Sequence, residues 1–232
     1  FFSVRLKKGS FSSSDRVSVL IPARNEEKKI GLLLEQLILN KNIYEILIYN
    51  DESTDQTFRV VQDFQKKDSR ISLIQGSSLP KGWLGKNHAC DALSKRAQGN
   101  YFLFLDADVI LYDDLIEDVL FYLKTKRLGL VSLFPVQILK TFGEKASVPI
   151  MNYILLTLLP LFLVRLSPFS SHAAANGQFM FFDASIYHKI KPHEHFKSAA
   201  VEDIAIARYF KKQKIKISFL SGDSRCQCRM YT

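Results

Sequence analysis

Apolar and polar residues alternate in blocks along the chain, and the period of the alternation changes from block to block. Residues 17–21, VSVLI, form a β-rich apolar run that closes at Pro22, and within 26–40 Ile30, Leu33, Leu34, Leu37 and Ile38 recur at the spacing of a helix face. The same order returns with EILIY at 45–49, a polar turn at 50–55 and a helical stretch to about Lys67 carrying Phe58, Val61 and Phe64. A third strand, ISLI, follows at 71–74, then a helix over 86–98 and the most hydrophobic strand of the chain, YFLFL at 101–105, which ends directly in Asp106-Ala107-Asp108. A helix after Asp113 to about Lys126 and a strand near 128–134 come next. Strands this apolar, alternating with helices, predict an α/β fold with a parallel sheet covered on both faces and ligands bound outside the carboxyl ends of the strands. No internal repeat or low-complexity tract interrupts the pattern, and 232 residues suffice for one large domain, 1–232.

One stretch departs from this scheme. From Ala146 to Leu166 the chain is unusually apolar, interrupted by Pro149, Pro160 and Arg165. It is too apolar for solvent and, broken by Pro160, suits a helix lying in a bilayer interface across 146–169; an ordinary buried helix is the competing explanation. No uninterrupted apolar run of about 18 residues is present. Phe1-Phe2-Ser3-Val4 followed by Arg5, Lys7 and Lys8 resembles the cytoplasmic edge of a hydrophobic span, which places the expected location at the cytoplasmic face of the cell membrane, with the chain trimmed from a longer membrane-anchored protein.

The 32 basic against 23 acidic residues give a net charge of +9, which attracts a polyanion: nucleic acid, an anionic bilayer or a phosphate-bearing substrate. Nucleic acid is not expected, because the lysines scatter and no basic stripe with interleaved aromatics appears. Three cysteines, Cys90, Cys226 and Cys228, are too few for a disulfide framework and fit reduced thiols.

Candidate chemistry gathers where strands end. The carboxylates of Asp106 and Asp108 can hold a divalent cation that bridges a diphosphate, and hard oxygen ligands suit Mg²⁺ or Mn²⁺; a turn with solvated acids is the plainer alternative. LIPARNE at 20–26 brings Arg24, Asn25 and Glu26 to the same sheet edge, unless Asn25 or Glu26 merely starts a capped helix. In NDESTD at 50–55, Asp51 can accept hydrogen bonds from a base edge while Ser53 or Thr54 caps the next helix. KGWLGKN at 81–87 joins two glycines to Lys86 at a helix start, a combination able to cradle phosphate, although the Walker A spacing is missing; Trp83 stacks on a ring or simply packs. AAANGQ at 173–178 precedes the strand FMFFD and on its residues alone reads as a flexible linker. Val201-Glu202-Asp203 introduces the helix IAIARYF, and its acids either complement the helix dipole or supply a base. His193-Glu194-His195 reads as a run of exposed polar residues, or as a lid over an acceptor site, rather than a zinc site.

Taken together and in this order, the segments resemble the family 2 glycosyltransferases with the GT-A fold, over nearly the whole chain. LIPARNE is similar to that family's first nucleotide-binding loop, NDESTD to its D-D-G-S-T-D segment, and LDADV to its D-x-D metal motif. The second segment departs from the pattern, with Asn50 for the first Asp and Glu52 for the Gly, which leaves the backbone and the base identity open there. The resemblance implies that 1–110 binds the nucleotide sugar and 111–232 the acceptor. It implies donor contacts from Pro22, Arg24, Asn25, Glu26, Asp51, Ser53, Lys86, Asp106, Gly177 and Gln178. Within that set Asp51 would meet the uracil of a UDP-sugar, Lys86 the phosphates, and Asp106 the ribose or sugar. Asp108 would ligate Mg²⁺ or Mn²⁺, Asp203 would be the base of an inverting transfer, and Trp83, Glu202 and Arg229 would add donor or acceptor contacts. The Q-x-x-R-W motif of processive members is missing. RCQCRMY at 225–231 and the G-W-x-G-K loop instead look like a subgroup that glycosylates carotenoid or hopanoid-type lipids, so a membrane lipid is the expected acceptor. Two other classes stay open: a nucleotidyltransferase with a similar sheet, which would release pyrophosphate, and a non-catalytic module that binds membrane or polyanion.

Overall fold

The computed structural model describes residues 6–112, 114–139, 141 and 161–229. Its first half runs β1 (Val17–Ala23), α1 (Ile30–Leu39), β2 (Ile43–Asn50), α2 (Thr57–Lys67), β3 (Ile71–Gln75), α3 (Gly85–Arg96), β4 (Tyr101–Leu105) and β5 (Val109–Leu111). There follow α4 (Leu115–Lys126), β6 (Leu130–Phe134), β7 (Val136–Gln137), α5 (Leu161–Leu166), a 3₁₀ turn at Ser170–His172, β8 (Phe179–Asp183), α6 (Ala184–Ile190), α7 (Pro192–His195), α8 (Glu202–Lys212), β9 (Ile217–Ser221) and β10 (Cys226–Cys228). A seven-stranded sheet has the order β3-β2-β1-β4-β8-β6-β9, and a small sheet has the order β5-β10-β7.

Strand alternation sends side chains to two hydrophobic layers. Val17, Val19 and Ile21 of β1 join Leu103 and Leu105 of β4 on one face with α1 and α4. Leu20, Phe102 and Phe104 go to the other face with α3 and α8. Both faces are therefore dry, which is why these strands carry almost no polar residues. Phe102, Phe179, Phe181, Phe182 and Phe210 are all fully buried, each stabilising by about 1.5–3 kcal/mol relative to exposure.

The sheet is mostly but not wholly parallel. β8 runs antiparallel to both β4 and β6, pairing Leu105 with Phe179 and Ser132 with Met180. Reversal puts the start of β8, rather than its end, at the edge where β1, β2 and β4 finish. The first helix begins at Ile30 rather than near Glu26, because the intervening backbone is held from outside: the Glu26 N–H donates to Thr57 Oγ1 at 2.7 Å and the Glu27 N–H to Asp55 Oδ2 at 3.1 Å. Neither Ser53 nor Thr54 caps α2; Asp55 Oδ1 accepts from the Thr57 N–H at 2.9 Å instead.

Residues 142–160, most of the apolar stretch, lie outside the described residues. In its described remainder Val164 is fully buried, while Leu166 and Phe169 are exposed. No helix among the described residues is long and apolar enough to cross a membrane. All three cysteines are free and buried.

Candidate active site

The carboxyl ends of β1, β2 and β4 and the start of β8 converge. Lys86, on the first turn of α3, places Nζ 2.8 Å from Asp106 Oδ1, 3.1 Å from Asp106 Oδ2 and 3.7 Å from Glu202 Oε1. The next segment over is threaded between them: a Cβ on Gly177 would lie 3.2 Å from Lys86 Nζ, 3.3 Å from Glu202 Oε1 and 3.6 Å from Asp203 Oδ2. Asp203 is oriented by two backbone donors, the Gly177 N–H to Oδ2 at 2.9 Å and the Ile204 N–H to Oδ1 at 2.7 Å. AAANGQ is no loose linker. Ala173, Ala174 and Ala175 are buried, and Ser132 clamps Asn176 by donating to its carbonyl at 3.0 Å and accepting from its N–H at 2.8 Å.

Asp108 lies on the other side of Asp106. Gln178 Nε2 is 3.4 Å from Asp108 Oδ1, and Lys29 Nζ stands 3.8 Å from both Asp108 Oδ2 and Glu26 Oε2. Asp51 directly follows β2 and meets α3 where Gly85 has no side chain; a Cβ there would come 2.7 Å from Asp51 Oδ2. Arg24 Nη1 reaches the same oxygen at 3.5 Å.

Other expected site residues have structural partners. Asn25 and Ser53 tie the first two loops together, with the Asn25 N–H donating to Ser53 Oγ at 3.0 Å and the Thr54 N–H to Asn25 Oδ1 at 2.8 Å. Pro22 is paired within β1 opposite Tyr49. Trp83 sits edge-on to His88 with ring centroids 5.6 Å apart. Arg229 donates to the Ile138 carbonyl at 3.3 Å, beside the small sheet rather than among the groups that meet at Gly177. His193 is not exposed as its polar neighbours suggest: it is buried, hydrogen-bonded through Nδ1 to the Tyr187 hydroxyl at 2.7 Å, and packed 4.9 Å from the Phe104 ring. Burial drops its pKa to about 3, so it is a neutral core residue. Glu52 adopts φ 51°, the left-handed backbone that a glycine would take without strain. Lys29 is not legible in the sequence as a site residue; its one signal there is the i,i+3 spacing from Glu26.

The electrostatics follow from crowding. Burial raises the carboxyl of Asp108, and the Asp106 charge raises it further. Glu26 is likewise lifted, by burial first, with Lys29 opposing and Asp108 and Asp106 adding to the rise. Glu202 is lifted by burial, against the pull of Lys86 and with help from Asp203 and Asp106. At Lys86 burial disfavours the charge, but Asp106 and Glu202 outweigh it and hold the ammonium above its ordinary value. Asp106 and Asp108 thus form a pair of acids under mutual repulsion, a donor set a divalent cation would relieve. Among the described residues no three His, Cys, Asp or Glu are grouped so as to hold an ion by themselves.

The architecture is that of the GT-A class of nucleotide-sugar transferases. The structure of S. aureus TarS 1–349 in complex with UDP superposes with a TM-score of 0.62 at 18% identity, covering 93% of this chain and 60% of that one. Mannosyltransferase PcManGT from Pyrobaculum calidifontis, in complex with GDP-Man and Mn²⁺, gives 0.64 at 17% identity, covering 96% and 60%. Residues 18–199 match the model of glycosyl transferase family 2, and the chain belongs to that family. Among curated relatives, 4,4'-diaponeurosporenoate glycosyltransferase of Staphylococcus aureus (strain USA300) is 28% identical over 218 residues, 93% of this chain and 56% of the relative. Its counterpart in Staphylococcus haemolyticus is 24% identical, over 97% of this chain and 59% of the relative. The chain therefore spans a little over half the length of the relatives it matches.

Proposed function

We propose that this chain is the catalytic part of an inverting glycosyltransferase that moves sugar from a nucleotide diphosphate, a UDP-sugar, to a hydroxyl or carboxyl of a membrane lipid. The observation that carries the reading is the meeting of Lys86, Asp106, Glu202 and Asp203 around Gly177, beside Asp51 and the D-x-D acids. An ammonium kept charged by its neighbours is suited to neutralise a departing diphosphate in a site where charge is poorly screened. Asp108, with Asp106 behind it, would hold Mg²⁺ or Mn²⁺, which supplies further positive charge to the phosphates. Asp51 accepts hydrogen bonds from the base, and Arg24 steadies it from the open side. Asp203, fixed by the Gly177 and Ile204 N–H groups, removes the proton of the acceptor as its oxygen attacks the anomeric carbon from the face opposite the diphosphate.

The lipid acceptor rests on the chemistry of the exposed surface and on the activity for which the curated relatives are named. Leu84 and Val201 are exposed beside Lys86 and Glu202, and Leu166 and Phe169 are exposed farther along. With the +9 charge they favour an acceptor presented at an anionic bilayer. On this reading the protein works at the cytoplasmic membrane face, with 1–232 acting as one catalytic unit. The direct test is calorimetry of UDP with Mn²⁺ together with turnover. Asp108→Ala should abolish the Mn²⁺-dependent gain in UDP affinity, and Asp203→Asn should cut turnover by about 10²–10⁴-fold while UDP still binds. A chain that ignores UDP and GDP in the presence of Mn²⁺, or that releases pyrophosphate, is doing something else.

A further inference from the structure

Asn87 follows Lys86 in the first turn of α3, is only 1% exposed, and has no part in the chemistry above. Its amide Nδ2 donates to the carbonyl oxygens of Phe196 at 2.9 Å, Lys197 at 3.2 Å and Ala199 at 3.0 Å. Two amide hydrogens therefore serve three acceptors, all in the connection between α7 and α8. The Leu84 N–H adds a fourth tie from the same loop, to the Lys197 carbonyl at 2.8 Å.

That connection, 196–201, has no regular structure of its own, and Lys197, Ser198, Ala200 and Val201 are exposed. It delivers Glu202 and Asp203, yet the N-cap of α8, Val201, makes no side-chain cap. What holds the start of α8 against the cleft from this side is the start of α3, which also carries Lys86. A short neutral amide is well matched to this position, because it satisfies several carbonyls at once without adding charge beside an ammonium whose role depends on its own.

We propose that Asn87 is a positioning residue that clamps 196–201 onto the N-terminus of α3 and so sets the distance between the cation at the leaving diphosphate and the carboxylate that takes the acceptor's proton. The inference rests on the roles assigned to Lys86 and Asp203 under the proposed function. Group transfer is sensitive to such spacing, since a misplacement of about 1 Å can cost about a hundredfold in rate.

The test compares Asn87→Ala and Asn87→Ser with the wild-type chain, using UDP-glucose and Mn²⁺ and following UDP released to water. Asn87→Ala should lower kcat about tenfold to a hundredfold, with donor KM unchanged and UDP affinity within about twofold by calorimetry. Hydrogen exchange should rise across 196–204 and stay at the wild-type level across 101–108. Asn87→Ser keeps one donor and should fall between the two; it carries the test if the alanine variant does not fold. Wild-type kcat per UDP-binding site, unchanged exchange at 196–204, or UDP affinity falling in step with kcat would each overturn the clamp. Asp203→Asn is the control that separates the two readings. If it leaves wild-type turnover untouched, the assignment of the base fails and takes the clamp's role with it; if it cuts turnover while Asn87→Ala keeps the wild-type kcat, the clamp alone fails.

Discussion

Two glycines decide how closely charged groups approach in the cleft. Gly85 lets α3 begin against the Asp51 carboxylate, and Gly177 lets a backbone N–H reach Asp203 between Lys86 and Glu202. Gly85→Ala isolates the first of these contacts. Alanine favours a helix over glycine by about 1 kcal/mol, so the fold should be as stable or slightly more so. The new Cβ would stand 2.7 Å from Asp51 Oδ2 and must push the carboxylate aside. UDP should then bind about tenfold more weakly, a loss of about 1.4 kcal/mol, with no fall in melting temperature; calorimetry and a thermal melt on the same sample decide. Unchanged UDP affinity would remove Asp51 as the reader of the base. Neither approach is visible in the sequence. KGWLGKN offers glycines and a lysine in one loop, but which glycine meets which acid depends on the crossing of α3 over β2, and that is a property of packing.

Among the elements, α8 carries charged groups with defined partners at both of its ends. Its first turn holds Glu202 and Asp203, and its last holds Lys211, whose ammonium donates to the carbonyl oxygens of Ser167 and His172 at 2.9 Å each, Leu163 at 3.3 Å and Phe169 at 3.4 Å. The buried ammonium has carbonyl dipoles for company, the last carbonyls of α5 among them, and burial lowers its pKa. Lys211→Met keeps the stem and removes the donors, taking from the Ser167 and His172 carbonyls their ammonium partner while those of Leu163 and Phe169 still accept from the Ser167 and His172 N–H groups. A loss of about 1–3 kcal/mol is expected in chemical denaturation, with hydrogen exchange rising first at 161–173; exchange that rises evenly over the whole chain would mean the contact is not local. Elements are the scale at which the sequence is most legible. VSVLI, EILIY, ISLI and YFLFL are all strands of the main sheet; VSVLI and YFLFL are apolar because both of their faces are covered, while ISLI lies at the sheet edge with Ser72 exposed. Direction is not legible: FMFFD is as apolar as β4 and β6 on either side, and nothing in its residues says that it runs against them. The start of α1 falls later than its sequence suggests because the leading turn is satisfied by Thr57 and Asp55, side chains more than 25 positions away.

Over the whole molecule, a chain of net charge +9 keeps an acidic cleft: Glu26, Asp106, Asp108, Glu202 and Asp203 gather about Lys29 and Lys86. This imbalance should make the ligand-free protein respond to pH in a recognisable way. Glu26, Asp108 and Glu202 have folded-state pKa values raised above their ordinary 4.5, 3.8 and 4.5. The folded state therefore binds more protons than the unfolded state once pH passes those ordinary values, and these groups subtract stability as pH climbs through their folded values. Asp68 works the other way. The Arg70 side chain holds it below 3.8, so its contribution is present above that pH and fades as pH falls toward its folded value. The two effects together make the metal-free chain most stable above the range in which Asp68 ionises, with stability lost as pH climbs through the folded values of Glu26, Asp108 and Glu202. Asp108→Asn removes one repelling charge and should raise the melting temperature at pH 7.5 in EDTA, by about 2–4 °C for each kcal/mol relieved at this chain length. The same variant should lose the extra stabilisation that Mn²⁺ with UDP gives the wild type, which grows with the logarithm of ligand concentration over its dissociation constant. Melts of both proteins from pH 5 to 8, with EDTA and then with Mn²⁺ and UDP, test the idea. A wild-type melting temperature that rises steadily to pH 8 without metal, or an Asp108→Asn variant still stabilised by Mn²⁺ and UDP as fully as wild type, would mean that the strain in the cleft is not what a cation and diphosphate relieve.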